Sequence, residues 1–286
     1  MTDSGVLLID KPVGITSFDV IRQLRKITRI RRMGHTGTLD PFASGLLIIC
    51  IGKATRLSAK IINQNKQYSA VMQLGIKTDT GDSTGNKVSE KDFAEVKVNQ
   101  IKKLVPEILK ISEQIPHRYS ALKVNGKKAY ELARNNQDPE LQPRQISILN
   151  FRFAKIELPR ITYVATVSKG TYIRVLSETI GEMLNNYGST VELRRTAIGK
   201  IKVEKAEKLA SLNPENWRDK LFPLINIFSE FPQIEISEKE REDFRQGRKL
   251  GVDFPDVKDL LITCDNSVLG FGEVEEKILR PRTVIV

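Results

Sequence analysis

The chain has 286 residues, of which 40% are hydrophobic and 28% charged, and it carries a formal net charge of +11. This composition excludes a disordered or fibrous chain and is typical of a globular protein with one large domain, or a large domain and a small one. The positive charge favours a polyanionic partner, with a nucleic acid as the first candidate and an anionic membrane surface as the second. The net charge alone also leaves open the alternative of a basic protein that has no such partner.

Cysteine and histidine usage argues against a metal site. The chain has two cysteines and two histidines, His35 and His117, and no C-x-x-C motif, so a zinc site is not expected. The stretch GFGEVEE lacks the third glycine of a dinucleotide loop, and no Walker motif is present, so no cofactor is expected either.

Targeting and membrane segments are not expected. The N-terminal stretch MTDSGVLLIDKP has neither the basic start nor the apolar run of a signal peptide. The longest apolar run, LLIICI, is far shorter than the roughly 20 residues of a membrane helix. We therefore expect a protein of the reducing cytoplasm with no membrane partner.

The first elements are a short strand and a basic helix. GVLLIDK reads as an apolar strand that ends in a Pro/Gly turn, and Thr16 with Asp19 forms a capping-box pattern. Apolar residues at helical spacing then predict an amphipathic helix over 17–28. Arg29, Arg31 and Arg32 follow it, and no acidic residue occurs between Val20 and Leu39. This one-signed run indicates a phosphate-facing surface, although a merely solvated face is the alternative.

The loop GHTGTLDPFASG, residues 34–45, places one carboxylate, Asp40, among glycines and small hydroxyl residues. Pro41 disfavours helical backbone at Asp40, and the buried strand GLLIICIG follows. On spacing alone, Asp40 is a common turn former. The functional alternatives are a nucleophile at a sugar carbon, a general base and a metal ligand, the last being weak without acidic companions.

The middle of the chain mixes strands and helices without a regular βαβ rhythm. KQYSAVMQLG and ITYVATVSKG alternate as strands, 98–112 and 127–136 read as helices, and TYIRVLSETIGEML contains a further helix. This order predicts an α+β fold with a mixed, mainly antiparallel sheet.

The C-terminal part reads as a small separate unit. A proline-containing stretch precedes about residue 231, and beyond it come a capped helix starting near Ser237 and Glu240, a stop at Gly247 and several short strands. We therefore predict two domains, a large one over 1–230 and a small β-rich one over 231–286.

Six blocks of the sequence resemble the TruB family of tRNA pseudouridine synthases. They are, in order, LLIDKPVGITSFDV, GHTGTLDPFASGLL, NKQYSAVMQLG, RYSALKVNGKKAYELAR, SKGTYIRVLSETIG and ELRRTAIG. Together they cover most of residues 6–199, and their order makes a chance match untenable. Residues 231–286 resemble, less closely, the PUA-type RNA-binding module often found at the C-terminus of this family.

The resemblance implies an enzyme that isomerises the uridine at position 55 in the T-loop of tRNA, after flipping that nucleotide out of the folded RNA. Asp40 falls on the family's catalytic aspartate, and Arg174 falls on the arginine that pairs with it and opposes its protonation. Tyr68 matches the tyrosine that stacks on the target base and is the candidate for proton transfer. Leu193 matches an apolar residue of the pocket, and His35 matches the residue that takes the vacated place in the RNA stack.

The resemblance also implies supporting residues and partners. Lys11 lies in the N-terminal block near the site in a supportive role, and Gly34, Gly37 and Gly45 would let the backbone approach RNA closely. The isomerisation needs no cofactor or group donor. The expected partner is tRNA, bound through its T-arm and acceptor end by a monomer that needs no guide RNA.

Two rivals remain open on the sequence. One is a guide-RNA-dependent relative that works inside a ribonucleoprotein, and the other is a catalytically silent RNA-binding protein or tRNA chaperone.

Overall fold

A large mixed sheet forms the centre of the computed structural model, which describes residues 4–120, 122–124, 126–135 and 137–286. The strands of the described residues, in all sheets and in chain order, are β1 (Gly5–Lys11), β2 (Met33–His35), β3 (Ser44–Ile51), β4 (Lys66–Leu74), β5 (Ile76–Thr78), β6 (Lys87–Glu90), β7 (Glu113–Gln114), β8 (Lys123–Val124), β9 (Lys127–Lys128), β10 (Arg144–Gln145), β11 (Ile148–Glu157), β12 (Arg160–Val167), β13 (Gly188–Ile198), β14 (Ile201–Lys202), β15 (Glu207–Lys208), β16 (Gln233–Glu235), β17 (Leu250–Gly251), β18 (Val257–Cys264), β19 (Ser267–Glu275) and β20 (Ile278–Val284).

The helices of the same residues are α1 (Ser17–Thr28), α2 (Ser58–Ile62), α3 (Val98–Lys103), α4 (Val105–Leu109), α5 (Ala129–Arg134), α6 (Ile173–Met183), α7 (Leu224–Ile227) and α8 (Glu238–Arg245). Short 3-10 turns lie at Gly52–Leu57, Val203–Lys205 and Leu209–Ser211. In the part of the chain that the structure describes, no helix has the length and apolar character needed to cross a membrane.

The large sheet has the strand order β11-β12-β4-β13-β3-β1-β15, with β14 beside β13 and β2 beside β3. Its pairs are antiparallel except for β13 with β3 and β1 with β15, which are parallel. A second sheet, β16-β18-β19-β20-β17, forms the C-terminal part. The predicted α+β class, with a mixed, mainly antiparallel sheet and a β-rich C-terminal unit, is confirmed.

Helix α1 has the predicted bounds because its capping signals are formed. The Thr16 hydroxyl accepts the Asp19 N–H, and the Asp19 carboxylate accepts the Thr16 N–H, so the capping box is complete. Val20 and Leu24 are buried on its inner face. Arg29 ends the helix in a left-handed conformation, with φ 61°.

Two predicted helices differ from the structure. The single helix expected over 98–112 is wrong, because the chain forms α3 and α4 with a break at Leu104. Pro106 explains the break, since it has no N–H for the carbonyl four residues earlier and its ring crowds that carbonyl. The helix expected over 127–136 is shorter than predicted, because Lys127 and Lys128 pair with β8 instead. Residue 136 lies outside the described residues.

Strand β3 is buried on both faces, which explains its uninterrupted apolar sequence. Leu47 and Ile49 belong to one core cluster, which also contains the apolar stripes of α1 and α6. Leu46, Ile48 and Cys50 belong to a second cluster on the opposite face of the large sheet. The strand that follows the Asp40 loop is therefore held from both sides.

The C-terminal sheet covers that opposite face. Leu261 and Phe271 of this sheet lie in the same cluster as Ile48, and the Phe228 ring meets the Phe271 ring edge-on at 5.1 Å. Arg56 donates to the Val284 carbonyl across the same boundary. The small sheet also has a core of its own, with Phe244 fully buried. The domain division at residue 231 stays a prediction.

Gly45 is required by the contact between two strands. It pairs with Arg195 of β13, its φ is +104°, and a Cβ placed on it would lie 2.3 Å from the Arg195 carbonyl oxygen. The close approach that we expected to serve RNA binding at this glycine is therefore made to the protein's own backbone. It brings β13 next to the loop that carries Asp40.

Gly45→Ala should destabilise the fold by more than the roughly 1–2 kcal/mol of left-handed backbone strain, because the new methyl group also collides with backbone. Gly14→Ala is the matched control, since Gly14 has a φ of +91° and a Cβ there meets no atom within 4 Å. Urea unfolding of both variants measures the difference. Equal losses of unfolding free energy would contradict the role given to the Arg195 contact.

Candidate active site

A cavity of about 390 Å³ opens where the Asp40 loop, β4, β13 and the start of α6 meet. Its lining, in the described residues, consists of Gly37, Thr38, Leu39, Asp40, Ile62, Lys66, Tyr68, Ser120, Leu122, Ser168, Lys169, Gly170, Thr171, Tyr172, Ile173, Arg174, Leu193 and Arg195. Apolar walls with a few convergent polar groups are typical of a binding site.

The Asp40 loop is fastened to the N-terminal segment. The Ser17 hydroxyl, at the start of α1, accepts the Leu39 N–H at 2.8 Å and donates to the Leu39 carbonyl at 3.1 Å. The Gly14 N–H donates to the Pro41 carbonyl at 2.7 Å. These contacts fix the backbone on both sides of Asp40, so its carboxylate has a defined position in the cavity.

Arg174 joins the Asp40 loop to two other segments. Its Nε lies 3.1 Å from Oδ2 of Asp40. Its Nη1 donates to the Thr80 carbonyl at 2.8 Å and to Oδ2 of Asp82 at 3.2 Å, and its Nη2 donates to the Tyr119 carbonyl at 2.9 Å. The Arg174 side chain is 5% exposed, whereas that of Asp40 is 35% exposed toward the cavity. The guanidinium is thus fixed by acceptors while the carboxylate stays accessible.

Burial and charge act on Asp40 in opposite directions. Burial raises the pKa of Asp40 above its ordinary value, because desolvation disfavours the carboxylate, and the negative charge of Asp82 raises it as well. The cations Arg174 and Lys11 lower it. Arg174 is therefore the principal group that favours the ionised form.

Lys11 is buried near the Asp40 loop, outside the cavity lining. Its side chain is buried, and its Nζ donates to the carbonyls of Pro12 at 2.9 Å and Ile15 at 2.7 Å. The pKa of Lys11 is lowered to about 8, mainly by burial and also by the charge of Arg195, while Asp40 partly opposes the change. The ammonium therefore holds the turn that leads into α1.

Tyr68 and Leu193 line the cavity together with Asp40 and Arg174, so the structure brings these four predicted residues to one place. Leu193 is buried on β13, and Tyr68 is half-buried on the neighbouring strand β4. Strand pairing aligns Tyr68 with Arg195. One side of the cavity is therefore formed by two adjacent strands.

The other predicted residues lie outside this lining. His35 ends β2, and within the described part of the chain its buried Nδ1 has no hydrogen-bond partner. Burial lowers the pKa of His35, and Arg195 lowers it further. Arg29, Arg31 and Arg32 are exposed on the segment between α1 and β2, where Arg32 donates from Nε to the Thr55 hydroxyl at 2.9 Å.

Two residues of the site were missed by sequence reasoning. Asp82 lies in a stretch that reads as a polar turn, yet its Oδ2 binds Arg174 and its Oδ1 accepts the Thr84 N–H at 2.9 Å. Arg195 is almost completely buried and donates to the carbonyls of Leu46 at 2.7 Å and Gly37 at 3.1 Å. No spacing rule separates Asp82 from an ordinary turn aspartate, whereas an arginine within an alternating strand is a usable signal for Arg195.

One group of metal-ligand types occurs among the residues described. Glu238, Cys264 and Asp265 bring their ligand atoms within 4.8 Å of one another. These residues belong to the C-terminal unit and are not part of the cavity lining. Within the described ranges, Asp40 belongs to no such group.

Comparison with solved structures agrees with the fold. The chain superposes on an H/ACA ribonucleoprotein bound to a substrate RNA containing 2'-deoxyuridine with a TM-score of 0.75 and 22% identity, covering 99% of this chain and 85% of that one. It superposes on a Cbf5–Nop10–Gar1 complex with a TM-score of 0.76 and 22% identity, with the same coverage. At this identity the likeness concerns the fold alone.

Sequence comparison identifies the class. Residues 25–173 match the family model described as TruB family pseudouridylate synthase, N-terminal domain. A protein of Clostridium tetani named tRNA pseudouridine synthase B is 39% identical over 251 residues, or 86% of each chain. A protein of the same name from Burkholderia pseudomallei is 36% identical over 296 residues, covering 99% of this chain and 97% of that one.

These matches define a pseudouridine synthase. Within that class, the chain belongs to the TruB family, which confirms the resemblance seen in the sequence.

Arg174→Met should raise the pKa of Asp40 further, because burial would then act with less opposition from a cation. The ionised carboxylate would appear only at higher pH than in the unmodified protein. Carbon-13 NMR of the Asp40 carboxyl group measures this shift. Arg194→Met is the control, since the Arg194 guanidinium pairs with Asp10 instead, at 2.7 and 2.9 Å. An unchanged Asp40 pKa in Arg174→Met would contradict the pairing.

Proposed function

We propose that the protein converts the uridine at position 55 of tRNA to pseudouridine, with Asp40 as the catalytic carboxylate. The observation that carries this proposal is the ion pair between Asp40 and Arg174 in a cavity that Tyr68 and Leu193 also line. The tRNA substrate is supported by the name of the relatives that match almost the whole chain.

The size of the cavity supports a substrate nucleotide that has left its base stack. A volume of about 390 Å³ lies in the range of small-molecule sites, roughly 300–1,000 Å³, and is too small for a base still stacked within folded RNA. The target nucleotide must therefore be flipped out, which costs a few kcal/mol. We propose that His35, at the end of β2, fills the place left in the RNA.

The reaction exchanges one bond of the ribose for another. The bond from the anomeric carbon to N1 of uracil breaks, the base turns, and the same carbon bonds to C5; C5 gives up its proton and N1 gains one. The Asp40 carboxylate either attacks the anomeric carbon to form an ester or assists removal of a neighbouring proton in a glycal route. Both routes need the ionised carboxylate that Arg174 favours.

The other lining residues have distinct proposed roles. Tyr68 stacks on the target base and transfers the proton from C5, and Leu193 packs against the base from the neighbouring strand. Arg29, Arg31 and Arg32 contact phosphates outside the cavity, since a one-signed exposed run is the electrostatic signature of a nucleic-acid surface. We assign residues 231–286 to contact with the acceptor end of the tRNA.

A guide-RNA-dependent activity is the second candidate, because the fold is shared with H/ACA ribonucleoprotein structures. We favour an enzyme that acts without a guide RNA, because the relatives that match almost the whole chain are named for the synthesis of pseudouridine in tRNA. Incubating the purified protein with unmodified tRNA and mapping pseudouridine by nucleotide separates the two candidates. Product at position 55 supports the proposal, and product that appears only with a guide RNA contradicts it. A purely RNA-binding protein gives no product.

Asp40→Asn should abolish turnover and leave the affinity for tRNA nearly unchanged, because the side chain keeps its shape but loses the charge needed in the transition state. Single-turnover formation of pseudouridine and a filter-binding titration measure the two effects. Residual activity within about tenfold of the unmodified enzyme would rule out Asp40 as the catalytic carboxylate.

Replacing Arg29, Arg31 and Arg32 together by glutamine should weaken tRNA binding and reduce its dependence on salt. Each lost phosphate contact lowers the slope of log affinity against log salt by about 0.7 to 0.9. The matched control replaces Lys87, Lys110 and Lys155, three exposed lysines that are already paired with acidic residues. If both triple variants have the same slope, the arginine run is only a solvated face.

A further inference from the structure

His117 lies behind Arg174 and is absent from the cavity lining. Its side chain is 10% exposed. Its Nδ1 lies 3.2 Å from the backbone nitrogen of Tyr119, which can only donate a hydrogen bond. Nδ1 must therefore be the acceptor, so a neutral His117 carries its proton on Nε2. The contact thus selects one of the two neutral tautomers.

The surroundings of His117 disfavour its charged form. Burial and, after it, the positive charge of Arg174 are the main causes that lower the pKa of His117 to about 4. The charge of Arg118 also lowers the pKa of His117, whereas the charges of Asp82 and Asp79 raise it. Only as the pH approaches 4 does the imidazolium form, and Nδ1 then becomes a second donor facing the Tyr119 N–H. Above that pH the acceptor is maintained.

Glu178 faces the other side of the ring. Its Oε1 lies 3.9 Å from Nε2 of His117, and burial raises the pKa of Glu178 to about 7. The other charged groups acting on this carboxyl are Lys77, Arg174, Glu182 and Asp82. Below about pH 7 the Glu178 carboxyl is neutral, so it does not stabilise a positively charged imidazole. Above about pH 7 the solution is far above the pKa of His117, so the imidazole is neutral. Between about pH 5 and pH 8 the imidazole of His117 is therefore neutral, with its proton on Nε2.

Tyr119 connects His117 to the catalytic pair. Its N–H is held by His117 Nδ1, and its carbonyl accepts Nη2 of Arg174 at 2.9 Å. The rings of His117 and Tyr119 are also stacked, with centroids 5.9 Å apart and an angle of 24° between their planes. Through Arg174, whose Nε faces Asp40 at 3.1 Å, the chain of contacts ends at the carboxylate.

We propose that His117 is a positioning residue: its neutral form, with Nδ1 as acceptor, fixes the Tyr119 backbone, whose carbonyl orients Arg174 toward Asp40. The consequence for rate rests on the proposed function of Asp40 and Arg174. The structural part, a single tautomer bound to the Tyr119 amide, does not depend on the substrate.

Two substitutions at His117 separate positioning from packing. Asparagine places its Oδ1 where Nδ1 lies and keeps the acceptor, whereas alanine removes it. His117→Ala should lower the single-turnover rate constant by about 10- to 100-fold without changing the affinity for tRNA, since a small misplacement of catalytic groups has effects of this size. His117→Asn should stay within about threefold of the unmodified enzyme. Ile115→Ala, an exposed position on the same segment, is the control for an unchanged rate.

A rate of His117→Ala equal to that of the unmodified enzyme would overturn the proposal. Equal loss in both His117 variants, matched by equal loss of thermal stability, would overturn it as well, because the role would then be packing alone.

Nitrogen-15 NMR of the histidine rings gives a readout that needs no activity. The chain has two histidines, so a His35→Asn variant assigns the signals. We expect an unprotonated Nδ1 and a protonated Nε2 for His117 from pH 8 down to pH 5. The opposite tautomer, or an imidazolium at pH 6, would overturn the proposal even if the protein modifies tRNA. An enzyme with the expected tautomer and no pseudouridine product would instead contradict the proposed function.

Discussion

The buried guanidinium of Arg174 is the contact on which the site depends. One cation on α6 binds the Asp40 loop, the turn with Thr80 and Asp82, and the Tyr119 carbonyl. A charge buried to this extent is tolerated only when its hydrogen-bond donors are satisfied and opposite charges lie close to it. Segments far apart in the sequence must therefore be in place before this group can be buried.

The same contact sets the balance between reactivity and protonation. A cavity with apolar walls strengthens the action of a carboxylate on developing charge, but it also favours the neutral acid. Arg174 counteracts the second effect at Asp40, while Asp82 holds Arg174 and raises the Asp40 pKa in turn. Asp82 therefore orients Arg174, although its own negative charge disfavours ionisation of Asp40.

Sequence reasoning succeeded where the signals were local. The bounds of α1 follow from Thr16, Asp19 and the periodic apolar residues, and the mixed sheet follows from the order of the elements. It failed where a single residue overrides a periodic pattern, as Pro106 does between α3 and α4. That Asp40, Tyr68, Arg174 and Leu193 belong together came from the resemblance, because their spacing along the chain contains no geometric information. Asp82 and His117 were missed for the same reason: their contacts with Arg174 and Tyr119 are created only by the tertiary structure.

One face of strand β3 packs against the C-terminal sheet, and the apolar layer between them fixes where that sheet lies relative to the cavity. Ile48 of β3 and Leu261 of the small sheet belong to one continuous core cluster. The small sheet is therefore packed directly onto the strand that follows the Asp40 loop. Any RNA contact on the small sheet then lies at a set distance from the cavity. On the proposed assignment of residues 231–286 to the acceptor end of the tRNA, the distance from that end to the target nucleotide becomes part of how the substrate is recognised.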